Sequence, residues 1–373
     1  MHWFPKPKQL PRNWGRLRPP PFLCFASSLF MLYIRNTQTS KLHAYDRSLL
    51  ELGYYAEYED DPRGPPKKTK DVKFYVSALG IGDAVCGMYA ACGIADQGFN
   101  VTLYTRHGDW LSAVSHPNVS ICPETDYSAD ANLDYQGQLR SGNSSGSRPN
   151  WYIQSLRRYY EIPDCVAKRP EKVTKFSKTQ KLAVLVPAGA WSVRSWNANR
   201  WTDLSNLLTD AGYVVVTIGS GKDKESLEQI PSSKLLWNRP AEEVLELIGS
   251  ATILYGNDSG MAHIAGLLGT PTVAVLGPTT RDFVFDCGES IVGISSDMPC
   301  TACYWQRDRG WDERCVKNCE SLQSIQPETV FQLGESHVHE KQTHGQDSGL
   351  RRKTAGTGVR VSSRRGKAEE ADG

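Results

Sequence analysis

Residues Tyr255 to Pro271 read YGNDSGMAHIAGLLGTP, and the order of residue types along them decides the fold class. An apolar run ending at Gly256 gives way to Asn257, Asp258, Ser259 and Gly260, and then to a helix of small and apolar residues. A strand that turns in this way into a helix is the unit of an open parallel α/β sheet, in which ligands bind outside the carboxyl ends of the strands. Asp258 or Ser259 can cap the helix, Gly260 lets a ligand approach the backbone, and free amides with the helix dipole favour an anion. Met261, Ile264, Ala265 and Leu268 share one helical face, and His263 lies roughly opposite their centre. Spacing thus makes His263 either a site residue or a solvent-facing one.

On either side of this stretch the same alternation continues. Strands are predicted over 182–186, 214–218, 235–237, 252–256 and 272–276, with helices over 201–211, 224–229, 241–248 and 261–268. A shorter unit precedes it, with strands over 72–78, 101–105 and 119–122, an alanine-rich helix over 84–97 and a further helix over 151–161. The turn-rich SGNSSGSRPN at 141–150 reads as a surface loop, and the Lys-rich 168–181 lacks an apolar face and suits a linker. The expected layout is an N-terminal Rossmann-like unit over 71–167, a linker over 168–181 and a fuller C-terminal unit over 182–331. Residues 1–70, with clustered prolines, and 332–373, rich in Gly, Ser and Arg, are expected to be largely disordered.

With 373 residues, 39% of them hydrophobic, the chain can bury a large core and favours two domains over one. The formal charge of +2 owes much to Lys6, Lys8, Arg12, Arg16 and Arg18, so the body of the chain is mildly acidic and offers no nucleic-acid footprint. Phe22 to Ile34, FLCFASSLFMLYI, is apolar but shorter than the ~20 residues of a membrane span. It has the character of a signal-peptide core, yet no small-x-small cleavage pattern follows, and Met31 can serve as the start. The expectation is a cytoplasmic protein, at most peripheral at the inner face of the membrane. Dispersed Cys86, Cys92, Cys122 and Cys165 read as buried thiols in a reducing compartment. Sequons at Asn100, Asn118, Asn143 and Asn257 matter only for an exported chain.

Two more strand-end loops carry chemistry. The loop PAGAWSVRSWNAN at 187–199 holds a single cation, Arg194, suited to grip a diphosphate bidentately or to stack on Trp196. In LGIGD at 79–83, Gly80 and Gly82 follow a strand as in a dinucleotide fingerprint, but Val85 stands where that fingerprint needs Gly or Ala. The next strand ends at Arg106, where an NAD-binding acid would be expected, which weakens an oxidoreductase reading. What is left is Asp83 at a helix start, either a cap or a carboxylate poised to take a proton.

The run NDSGMAHIAGLLGTPTVAVLGPT at 257–279 resembles the C-terminal signature of glycosyltransferase family 9, which contains the ADP-heptose:lipopolysaccharide heptosyltransferases. LGIGDAV at 79–85, LDYQGQLRS at 133–141 and PAGAWSVRSWNANRWTDLSNLL at 187–208 agree in order and spacing, so the likeness runs from about Val72 to Phe331. The resemblance implies a GT-B fold, two Rossmann-like domains with parallel sheets facing across a cleft. It also implies an inverting transfer of a heptose or related hexose from a nucleotide-diphosphate sugar to a glycan or glycolipid, with no catalytic cofactor. On that footing Asp83 is the base, Arg194, Asp258, Ser259, Gly260 and His263 bind the donor, and Gly82, Gln136 and Arg140 lie on the acceptor side. Arg194 stands where the family usually has Lys, which keeps the charge and alters its geometry. Cys300, Cys303, Cys315 and Cys319 match a cysteine-rich segment common in the family, for which structural zinc, reduced thiols and disulfides all fit. The competing readings are a catalytically inactive sugar-nucleotide-binding protein of the same fold and, more distantly, an NAD(P)-dependent oxidoreductase.

Overall fold

In the computed structural model of the chain, the described residues are 33–36, 42–44, 55–58, 65–76, 80–123, 131–133, 147–188, 192–220, 223–232, 234–285, 287–303 and 319–354. Within the expected disordered extension, three short strands pair antiparallel: β1 (Tyr33–Asn36), β2 (Leu42–Ala44) and β3 (Tyr55–Tyr58), in the order β2-β1-β3. Their tyrosines and Ile34 favour extended backbone, a preference too short-ranged to stand out among prolines and charges.

The N-terminal half begins with β4 (Asp71–Val76), whose Val72, Phe74 and Val76 point into the core, followed by helix α1 (Ile81–Ala95) and β5 (Asn100–Tyr104). After β6 (Val114–Ser115) come β7 (Val119–Cys122), β8 (Ala131–Leu133) and helix α2 (Arg148–Leu156). The sheet is parallel, in the order β7-β5-β4-β8, while β6 pairs antiparallel with β9 (Lys172–Val173). Helix α1 is buried all round except at Ile81, because its Ala, Gly and Cys residues let neighbours approach from every side.

The C-terminal half runs β10 (Leu182–Val186), α3 (Ala198–Asp210), β11 (Val214–Gly219), α4 (Lys224–Leu227), β12 (Lys234–Trp237), α5 (Ala241–Ser250), β13 (Ile253–Asn257), α6 (Gly260–Leu268), β14 (Thr272–Val275), α7 (Arg281–Phe285) and β15 (Ile291–Ile294). All six strands are parallel, in the order β12-β11-β10-β13-β14-β15. The central strands β10, β13 and β14 are buried throughout, as expected of a parallel sheet covered on both faces. The strand order reverses between β10 and β13, and in the first sheet between β4 and β8, so each half has a crevice at that point. Helix α1 leaves the first crevice and α6 the second, and the two helices pack against each other. One apolar cluster therefore runs through both sheets, joining Phe74 and Leu103 to Val184, Leu254 and Ile264.

The chain closes with α8 (Glu320–Gln323) and α9 (Pro327–Thr354), so residues 332–354 correct the expectation of a disordered tail. Val330 and Val338 join the core under α3, the Tyr213 hydroxyl donates to Glu335, and His337 Nε2 lies 2.7 Å from the Ser290 carbonyl oxygen. These anchors are few and mixed in polarity, so no apolar stripe announces the helix. The segment read as a linker is likewise tied down: Lys168 Nζ meets Asp96 Oδ2 at 2.5 Å, and Arg169 Nη2 donates to the Leu267 carbonyl at 3.0 Å. Lys168 and His116 hold the Asp96 carboxyl below its ordinary range, against a smaller effect of burial. Among the described residues, no helix is long and apolar enough to cross a membrane.

Glycine inside a helix ordinarily costs ~0.5–1 kcal/mol relative to alanine. At Gly334 the cost is offset, because any β-carbon there would run into the Tyr255 ring and hydroxyl. Gly334→Val should lift α9 from the sheet and lower stability by about 1–3 kcal/mol, seen as an earlier urea midpoint with faster proteolysis after residue 326.

Candidate active site

Asn257 is the last residue of β13 and is fully buried. Its Nδ2 donates to the Pro187 carbonyl at 2.6 Å, and its Oδ1 accepts from the Trp196 amide at 3.3 Å. One side chain thus fastens the loop after β10 to the loop after β13, across the crevice where the strand order reverses. A glycan has no access to Asn257 in the folded chain.

Asp258 follows, 6% exposed. Its Oδ2 accepts from Thr279 Oγ1 at 3.0 Å and lies 3.2 Å from Arg194 Nη1. Thr279 and Arg194 therefore converge on one oxygen from opposite loops, and the carboxylate is not the cap of α6. The cap position belongs to Ser259, whose side chain makes no capping bond; its Oγ is buried without a hydrogen-bond partner. Arg194 is mostly buried and held by Asp258, while Trp196 stacks edge-on against Trp201 at 5.1 Å. The alternatives of an Asp258 cap and an exposed, Trp-stacked Arg194 are both corrected.

His263 is 4% exposed rather than solvent-facing. Its ring lies under Gly82 of α1, where a β-carbon would come within 2.5 Å of Cδ2, and 4.6 Å from the Phe285 ring. The face of α6 opposite its apolar stripe is covered by the other half of the molecule, a contact that no periodicity within one half can reveal. Burial, with the nearby cations Arg148 and Arg194, pushes the His263 imidazole down to about 3, so it is neutral at working pH. At the helix starts, a β-carbon on Gly260 would stand 3.0 Å from Ile81 Cβ, so the N-termini of α1 and α6 meet.

Asp83 is the third residue of α1, whose cap position is Gly80 without a side-chain bond. Asp83 is therefore not the cap; it is buried, with Oδ1 3.1 Å from Arg148 Nη1. Arg148 opens α2, is itself buried and stands 5.4 Å from the centre of the Phe283 ring on α7. Sequence reasoning missed it because SRPN read as the end of a surface loop; Ser147 and Arg148 are in fact buried. The one available signal was an arginine directly before a proline at a helix start. Two guanidinium–carboxylate pairs thus stand at two helix N-termini from different halves, with a neutral imidazole between the helices.

Gln136, Arg140 and Cys315 lie outside the described residues. Cys300 is exposed, Cys303 half-buried and Cys319 buried, its sulfur 2.9 Å from where a β-carbon on Gly277 would stand. The group of potential metal ligands among the described residues is elsewhere: Asp96, His116 and Glu171, with ligand atoms within 4.8 Å of one another. There the Asn118 amide donates to His116 Nδ1 at 3.2 Å, which puts the ring hydrogen on Nε2, 3.1 Å from Asp96 Oδ1. Hydrogen bonds and Lys168 thus already engage Asp96 and His116.

The imidazole makes a pH prediction. Below pH ~6.5 the unfolded chain protonates residue 263 and the folded chain does not, so acid should erode stability from there toward pH 3 at up to about 1.4 kcal/mol per pH unit. His263→Asn should remove one proton's worth of that slope, checked by urea unfolding between pH 4 and 7; an unchanged slope contradicts a neutral buried ring.

Residues 154–310 match the family model for glycosyltransferase family 9 (heptosyltransferase). The chain is 29% identical to lipopolysaccharide heptosyltransferase 1 of Pseudomonas aeruginosa over 127 residues, 32% of this chain and 35% of that protein. It is 33% identical to lipopolysaccharide heptosyltransferase 2 of Salmonella typhimurium over 100 residues, 24% of this chain and 29% of that one. The sequence match therefore spans about a third of the length of these relatives. The fold is similar to that of ADP-heptose lipopolysaccharide heptosyltransferase II of Escherichia coli, with a TM-score of 0.53 at 16% identity, covering 74% of this chain and 100% of that one.

Proposed function

We propose, from a chain whose residues 154–310 are a glycosyltransferase family 9 segment on a GT-B fold, that it transfers a sugar from a nucleoside-diphosphate donor to a hydroxyl of a glycan or glycolipid. The observation that carries the reading is the meeting of α1 and α6, which brings a carboxylate of one half to an anion-ready helix start of the other. The diphosphate is assigned to the crevice after β10 and β13. There Arg194, the first amides of α6 and the unpartnered Ser259 Oγ would receive its oxygens, with Asp258 and Thr279 fixing Arg194 in place.

In this reading the acceptor oxygen attacks the anomeric carbon on the face opposite the diphosphate while its proton passes to Asp83. The bond from carbon to phosphate oxygen breaks, and configuration inverts. Positive charge at the sugar and negative charge on the leaving group develop together, and Arg194 with the helix amides answers the second without a catalytic metal. The named relatives favour an ADP-linked heptose as the first donor to try, with a lipopolysaccharide-type glycolipid as acceptor. A binding protein of the same fold would have use for Arg194 and Asp258 but not for Asp83.

Thermal shift against ADP, UDP, GDP, CDP and NAD(H) tests the donor class, since a ligand at 100 times its Kd adds about 2.7 kcal/mol. ADP is expected to stabilise the wild type and Asp83→Asn alike, and Arg194→Ala should lose most of the effect. Transfer from ADP-heptose should fall about 10²–10⁴-fold in Asp83→Asn. Stabilisation by NAD(H) alone would overturn the transferase reading, and full activity in Asp83→Asn would overturn the assignment of the base.

A further inference from the structure

We propose that Arg148 is a positioning residue for the base: its guanidinium holds Asp83 as an aligned carboxylate and, through Phe283, makes that alignment depend on the C-terminal half. The inference rests on the transferase reading and names a residue that neither the sequence motifs nor that reading supplied.

Asp83 is buried, and burial alone favours the protonated acid, which cannot accept a proton. A guanidinium 3.1 Å from Oδ1 opposes this, because an opposite charge at such a distance favours the ionised form. Geometry assigns the two oxygens different surroundings: Oδ1 faces Arg148, while Oδ2 lies beside Gly80, 2.9 Å from where a β-carbon would stand, so any larger residue at position 80 would press on the carboxylate. The backbone adds a fixed frame: the Asp83 amide donates to the Gly80 carbonyl at 3.1 Å, and Arg148 is anchored by its place at the start of α2.

The guanidinium also reaches across the interface. Asp83 and Arg148 belong to the N-terminal half, whereas Phe283 lies on α7 of the C-terminal half, with its ring centre 5.4 Å from the guanidinium carbon. Other ionisable groups around the pair are Cys86 on α1, Tyr152 on α2, Asp258 in the loop after β13, His263 on α6, and Arg194 in the loop after β10. Among the described residues His263 is neutral and Asp258 is paired with Arg194, while the Arg148 guanidinium is in direct contact with the Asp83 carboxylate. Lysine in its place would keep the charge but lose the flat group that faces the Phe283 ring.

The test uses the full-length chain with Arg148→Gln, Arg148→Lys and Phe283→Leu. The Asp83 carboxylate is followed by ¹³C NMR, identified by its loss in Asp83→Asn, and the pH profile of kcat/KM is measured with ADP-heptose. Arg148→Gln should move both the Asp83 titration and the acid limb upward by roughly 1 to 3 pH units, with ADP binding retained. Arg148→Lys should restore the acid limb toward that of the wild type while kcat stays lowered by about 10²-fold and the donor KM changes little. Phe283→Leu should lower kcat without moving the acid limb. A folded Arg148→Gln protein with an unmoved Asp83 titration would overturn the proposal; if that variant does not fold, wild-type kcat in Arg148→Lys would do so. Failure of the transferase reading shows separately, as a wild type that ADP does not stabilise, and the NMR titration still reports on Arg148 in that case.

Discussion

The fit of the His263 ring beneath Gly82 is the constraint on which the rest of the structure depends. Only a residue without a β-carbon lets α6 come so close to α1, and only that approach sets the two strand-order reversals facing each other. The contact makes one apolar core out of two sheets and excludes water from the groups beside it. The depressed imidazole, the buried Asp83–Arg148 pair and the nearly buried Asp258–Arg194 pair are all products of that exclusion. Ion pairs taken out of water gain little net stability, because desolvation offsets much of their attraction. Their retention at two facing helix starts fits a use other than holding the fold together.

Part of this arrangement is legible in the sequence, and the boundary of legibility has a physical origin. The parallel sheets follow from apolar runs such as Leu182–Val186 alternating with helices, and the site loops follow from glycines and polar residues at strand ends. Asp83, Arg194 and Asp258 stand out because each is the single charged residue of its strand-end loop. What cannot be read is any contact made between the halves. His263 faces away from its helix's apolar stripe, which reads as a site residue or a solvent-facing one and gives no hint of burial; it is buried by α1, a hundred and more residues away in the chain. Arg148 is hidden among turn residues for the same reason, since its partners Asp83 and Phe283 come from two different halves.

The tail teaches a related lesson. Residues 332–354 lack a continuous apolar stripe, yet they form a helix because Val330, Gly334, Glu335, His337 and Val338 each meet a specific complement on the C-terminal half. Composition measures how much surface a segment can bury on average, and a helix held by a few well-placed contacts falls beneath that measure.

Amide hydrogen exchange with and without ADP tests the central claim most directly, that a nucleoside diphosphate in the C-terminal crevice lies against the start of α1 from the other half. The account predicts ADP protection at Ser259 to His263, at the start of α6, together with slower exchange at Gly80 to Asp83 across the interface. Saturating ADP that protects neither stretch, or that protects a surface remote from both helix starts, would contradict it.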